Sequence, residues 1–101
     1  MLKIIDCNHA EQLLSKGNCK IFDVRDEKAY ADGHLPNAIY LNHELLSTIC
    51  STEDRNQTIL IYCYKGVRSQ MISKILIESG FTHVYSLDGG YQAWSEFSQN
   101  R

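Results

Sequence analysis

Four cysteines (Cys7, Cys19, Cys50, Cys63) and four histidines (His9, His34, His43, His83) are present, yet no C-x-x-C and no H-x-x-x-H occurs. Zinc sites and dithiol redox centres are built on short spacings of these kinds. No metal and no cofactor is therefore expected. Asp6, Asn8, His9 and Glu11 interrupt the N-terminal residues, so no secretory leader is expected. The longest apolar run, Ile59 to Tyr64, is far too short to cross a bilayer. A cytoplasmic, reducing setting with free thiols follows as the expectation. The formal net charge of −2 leaves no basic field to attract nucleic acid or an anionic membrane. Any anion must be gripped locally. Pro36 is the single proline, and there is no repeat, low-complexity stretch or linker. At this length residues 1–101 are expected to form one domain, a monomer or weak dimer.

What the chain does have is alternation. "LKII" reads as a first strand, and Asn8 with Glu11 three residues on reads as a helix start that ends at Gly17. "KIFDV" (20–24) is the next strand, followed by a short helix through "RDEKAYADG" that stops at Gly33. After the turn "GHLPNA", residues 38–41 predict a third strand, and Asn42 caps a helix through about Ile49. "CSTEDRNQ" reads as a surface loop. "TILIY" (58–62) lacks polar alternation, the mark of a strand covered on both faces. A helix follows from about Ser69 to Gly80, with Met71, Ile72, Ile75 and Leu76 as its apolar stripe. "HVYSL" is a last strand, and "YQAWSEFS" a closing helix. The rhythm predicts an α/β fold of three layers, with a mostly parallel central sheet flanked by helices.

In open sheets of this class, ligands bind beyond the carboxyl ends of the strands. Cys63 stands there, at the end of the most apolar strand and before a helix whose first amides point back at it. Lys65 and Arg68 lie within the same short loop, and Gly66 lets the backbone turn its N–H groups inward. Cysteine pKa falls in such settings. Cys63 is thus the candidate nucleophile. Cys7, Cys19 and Cys50 lack that combination and are expected to act as small apolar residues.

Loop length separates two chemistries. Cysteine phosphatases place five residues between cysteine and arginine, whereas only Tyr64, Lys65, Gly66 and Val67 separate Cys63 from Arg68. A ring one residue smaller suits the single outer sulfur of a persulfide better than three phosphoryl oxygens. "CYKGVRS" resembles the active-site loop of the rhodanese-type sulfurtransferases. "FDVRDEKAYADGHLPNAIYL" (22–41) and "LDGGYQAW" (87–94) resemble that family's N- and C-terminal signatures, so the likeness covers roughly residues 3–97.

The resemblance implies a rhodanese-like domain that acts as a thiosulfate sulfurtransferase. Cys63 would take the sulfane sulfur of thiosulfate as a persulfide and pass it to cyanide or a thiol, possible acceptors being thioredoxin, glutathione, a dithiol or another protein. Lys65 and Arg68 would hold the sulfonate, and the amides of Tyr64, Lys65, Gly66, Val67, Arg68 and Ser69 would stabilise the thiolate and the persulfide. Two positions depart from the pattern. Tyr64 stands where many members carry arginine, which lowers the expected anion affinity, and Arg68 stands where many carry threonine or serine, so it either grips the substrate or points to solvent. Asp23 and Arg25 are expected to be a structural pair, His34 a turn stabiliser, Gly89 and Gly90 a tight turn, and Trp94 core. Tyr91 is expected in the core, bordering the pocket at most. The alternative function is a non-catalytic rhodanese-like binding module.

Overall fold

A computed structural model describes residues 2–52 and 54–99. Among the described residues five strands and five helices alternate: β1 (Lys3–Ile5), α1 (Cys7–Lys16), β2 (Cys19–Asp23), α2 (Glu27–Asp32), β3 (Ile39–Tyr40), α3 (His43–Thr52), β4 (Thr58–Tyr62), α4 (Arg68–Glu78), β5 (Val84–Leu87) and α5 (Gly90–Gln99). All strand pairs are parallel, in the order β1-β5-β4-β2-β3. The expected three-layer α/β architecture is thus observed, with a wholly parallel sheet.

β4 is central because both its neighbours and both its faces are occupied. Cys19 to Asp23 of β2 run in register with Thr58 to Tyr62 on one side, and Val84 to Ser86 pair with Ile59 to Ile61 on the other. Successive side chains then point to opposite faces. Leu60 and Tyr62 join a core with Ala10, Leu13 and Trp94 from α1 and α5. Ile59, Ile61 and Cys63 join a second core with Ile49 of α3 and Leu76 of α4. That double covering is why "TILIY" shows no polar alternation.

Several boundaries differ from the sequence expectation. Asp6, rather than Asn8, caps α1 by accepting from the His9 amide at 2.9 Å. An aspartate two residues earlier offers the same carboxylate-to-amide bond, so α1 starts sooner. Asn42 does cap α3, with Leu45 N–H donating to its side chain at 2.8 Å. That helix runs on through Thr52, into residues expected to form a loop. The apolar stripe of α4 is also rotated. Met71 is 66% exposed and Ile75 39%, whereas Ser69, Ser73 and Leu76 are buried. Buried serines hide the true inner face from a hydrophobicity pattern, because their hydroxyls are satisfied locally: Ser73 donates to the Ser69 carbonyl at 2.7 Å.

The two faces predict different costs. Ile61→Ala should destabilise by about 2–5 kcal/mol in urea unfolding, as expected for emptying a sealed core site. Met71→Ser should change stability by less than about 0.5 kcal/mol. Equal losses from the two variants would mean that Met71 is packed after all.

Candidate active site

Cys63 leaves the end of β4 on the α4 side of the sheet, and the loop 64–67 bends its own amides back around the sulfur. Gly66 N–H donates to Cys63 Sγ at 3.1 Å and Ser69 N–H donates at 3.3 Å, while the Ser69 hydroxyl lies 3.5 Å away. Val67, the residue before α4, provides no side-chain cap. The sulfur takes that role by accepting from an amide in the first turn, which an N-cap oxygen would otherwise satisfy. Gly66 has φ +97°, and a Cβ there would sit 3.0 Å from Gly89 N and 3.1 Å from Leu87 O. Glycine is required at this position on both counts.

The electrostatics follow from these bonds. Burial alone would push the Cys63 thiol up, but the Ser69 hydroxyl and the amides of Ser69, Gly66 and Arg68 hold it below its ordinary value. The helix-start and loop amides act as expected, whereas the side-chain charges of Lys65 and Arg68, expected to assist them, do not contribute. Arg68 acts on the sulfur through its backbone amide, and hydrogen bonds supply the lowering. The other thiols behave oppositely: burial pushes Cys19 up to about 11, and burial with Asp6 and Asp88 raises Cys7.

α5 supports the loop from outside. Tyr91 N–H donates to the Cys63 carbonyl at 2.8 Å and Gln92 N–H to the Tyr64 carbonyl at 3.0 Å. Gly90, at φ +58°, is what allows the approach, since a Cβ there would meet the Cys63 carbonyl oxygen and lie 2.6 Å from the Tyr64 carbonyl carbon. The pair Gly89-Gly90 therefore does more than turn the chain. It clamps the reactive loop to the N-terminus of α5.

Cys63 opens into a cleft of about 770 Å³. On one side stand Tyr64, Lys65, Val67 and Arg68 of the loop, and on the other Val24 to Asp26, Ala29, Asp32 and Gly33, with Tyr91 between. Lys65 and Arg68 are both exposed, and neither makes an ion pair among the described residues. Arg25 differs. It binds the fully buried Asp23 through two nitrogens (Nε at 3.0 Å, Nη2 at 2.6 Å), donates to the Gly33 carbonyl at 2.6 Å, and lies 4.0 Å from the centre of the Tyr91 ring. Its charge is spent on the wall. Asp23 and Arg25 are thus a structural pair, as expected, and His34 stabilises its turn by a 2.7 Å contact between Nδ1 and the Tyr30 carbonyl. Trp94 is buried, while Tyr91 is half-buried and faces the cleft.

Of the residues singled out in the sequence, Cys63, Tyr64, Lys65, Val67 and Arg68 all meet at this cleft, and Gly66 and Ser69 hold the sulfur from within. The opposite wall was not singled out as a site. Its signal in the sequence is the signature at 22–41, with its aspartate-arginine strand end and its glycine-histidine-leucine-proline turn. The Ser69 hydroxyl also escaped notice, because only its amide is implied by a helix start.

The rhodanese-like domain model matches residues 6–97. The chain belongs to the rhodanese-like family. It is 38% identical over 94 residues to the thiosulfate sulfurtransferase GlpE of Coxiella burnetii, covering 93% of this chain and 88% of that one. Against the GlpE of Shewanella oneidensis it is 36% identical, with 93% of each chain covered. The solution structure of a rhodanese-like domain from an Anabaena protein superposes with a TM-score of 0.82 at 29% identity, over 96% of this chain and 76% of that one. Family membership and these relatives support a sulfurtransferase. Among the described residues no helix is long and apolar enough to cross a membrane.

The thiol order is testable by alkylation. Near neutral pH, iodoacetamide should modify Cys63 well before Cys7 or Cys19, as read by peptide mass spectrometry. The Cys63 rate should fall as pH drops through its lowered pKa. Since the fold prefers this thiolate, its contribution to stability is present above the unfolded pKa and is lost over the same descent. First modification at Cys19 would contradict the assignment.

Proposed function

We propose that this rhodanese-like chain moves a sulfane sulfur from thiosulfate to a thiol or cyanide through a persulfide on Cys63. The observation that carries the proposal is a thiol that accepts from two amides, with a hydroxyl 3.5 Å away, at the floor of an open cleft rimmed by the exposed Lys65 and Arg68. The Cys63 thiolate attacks the outer sulfur of thiosulfate. A bond forms between the two sulfurs, the bond inside thiosulfate breaks, and its electron pair leaves with sulfite. The persulfide anion then gives its outer sulfur to cyanide or to a thiolate acceptor, which restores the Cys63 thiolate. Covalent catalysis of this kind divides one transfer into two steps.

The chain's residues divide the work. Gly66 and Ser69 already bond Sγ. The amides of Tyr64, Lys65 and Val67 do not donate to that sulfur and remain for the negative charge that shifts to the outer sulfur. Lys65 and Arg68 face the cleft from the loop side and would attract the dianionic donor. Tyr64 and Val67, 53% and 77% exposed, give the mouth an apolar lip.

Brief treatment with thiosulfate should leave the intact protein one sulfur atom heavier, and cyanide should remove the increment. Cys63→Ala should gain nothing. In steady state, Lys65→Ala should raise the KM for thiosulfate about three- to tenfold while kcat changes less, as loss of ground-state binding predicts. An unchanged KM would take Lys65 out of the site. A binding module remains the second reading, favoured by the exposed line of Val67, Met71 and Ile75 leading away from the loop. It would replace the first if wild type acquired no sulfur while a stable protein complex survived Cys63→Ala.

A further inference from the structure

Behind the reactive sulfur, on the side away from the cleft, is a hydroxyl that no step above uses. Ser86 of β5 pairs directly with Ile61 of β4, so its side chain lies on the same face as Ile61 and, two residues on, Cys63. Apart from Ser69 and Ser73 of α4, that layer is apolar, built from Phe22, Ile61, Leu76 and Val84. Ser86 is completely buried, as is Ser69. Their oxygens are 2.8 Å apart, and Ser69 Oγ is in turn 3.5 Å from Cys63 Sγ. A buried hydroxyl in an apolar layer is costly unless bonded, so an unreactive layer would favour valine or alanine at this strand position.

Resting on the reading of Cys63 as the nucleophile, we propose that Ser86 is a positioning residue for it: Ser86 donates its hydroxyl hydrogen to Ser69 Oγ and thereby commits the Ser69 hydrogen to the sulfur. Each serine has one hydrogen. Against a thiolate, Ser69 must donate to Sγ, so the hydrogen between the two serines must come from Ser86. Against a protonated thiol, the S–H can donate to Ser69 instead, and the Ser69 hydrogen turns to Ser86. The direction of the serine pair thus reverses with the state of the sulfur, and a donor behind Ser69 strengthens the bond in front of it. The charged groups facing the sulfur's cleft are Arg25 after β2, Asp26 and Asp32 at either end of α2, and Lys65 and Arg68 of the loop. The titratable rings there are Tyr64, and Tyr91 on α5. All of them line the open side, and none is altered by a change at Ser86.

The test is the pH profile of Cys63 alkylation by iodoacetamide, followed by peptide mass spectrometry, which needs no sulfur transfer. In Ser86→Ala the rate below the profile's midpoint should fall about three- to tenfold and the midpoint should move to higher pH, in a variant that remains folded by circular dichroism. Ser86→Thr, which restores a hydroxyl on a strand-compatible side chain, should return the profile toward wild type. Ser69→Ala should produce the larger shift, and Ser69→Ala/Ser86→Ala should be no worse than Ser69→Ala alone, because Ser86 acts through Ser69. An unmoved midpoint in folded Ser86→Ala would overturn the proposal, as would additive effects in the double variant. Either result leaves the thiosulfate mass increment intact, so this inference and the proposed function fail separately.

Discussion

A sulfur atom capping a helix is the contact on which the rest of this site depends. α4 begins without a side-chain cap, and the amide of Ser69 in its first turn is given to Cys63 Sγ together with that of Gly66. Helix termini leave amides unsatisfied, and an anion is their best partner. The helix therefore gains a cap when the thiol ionises, and the thiol ionises more easily because the helix lacks one. Local helix stability and reactivity are the same interaction seen from two ends. The Ser69 hydroxyl lies 3.5 Å from the same sulfur, inside the core.

Such a loop must be held open against its tendency to collapse, and two remote segments do this. The amides of Tyr91 and Gln92 at the start of α5 take the carbonyls of Cys63 and Tyr64, which keeps those oxygens turned away from the sulfur. The buried Asp23 fixes Arg25, and Arg25 spans to the Gly33 carbonyl and the Tyr91 ring. That linkage ties the opposite wall of the cleft to the same helix that clamps the loop. Buried ion pairs are weak sources of net stability but leave a severe penalty when broken. Here the pair helps to shape a cavity, and the Arg25 charge is balanced by Asp23. The exposed positive charge at the cleft belongs to Lys65 and Arg68.

The lowered pKa and the cleft also divide responsibility for specificity. Backbone amides and Ser69 act at the sulfur, at distances of 3.1–3.5 Å, and would favour any anion formed there. Lys65, Arg68, Tyr64 and Val67 line the approach to it. An apolar lip beside two cations suits a small anion and also a thiol carried on a larger body. The exposed Met71 and Ile75 extend that lip along α4.

Much of this was legible from the chain. The unbroken apolar run before Cys63 marked a strand buried on both faces, and the spacing from Cys63 to Arg68 set the size of the loop, because both are local properties of backbone and burial. The inner face of α4 was only half legible: Ile72 and Leu76 pack inward as expected, but Met71 and Ile75 mimic a core stripe, while the other buried positions are held by Ser69 and Ser73, whose polarity is cancelled only by contacts the fold creates. Nor could the chain reveal that Gly90 is pressed against the Cys63 and Tyr64 carbonyls, or that Arg25 is already engaged by Asp23 and Gly33 when a ligand enters. The amino-acid order determined the alternating architecture, the family and the position of the thiol. Only the tertiary structure decided which groups bring that thiol's pKa down, because hydrogen bonds from Ser69, and the serine pair reaching across to β5, depend on angles and distances between segments far apart in the chain.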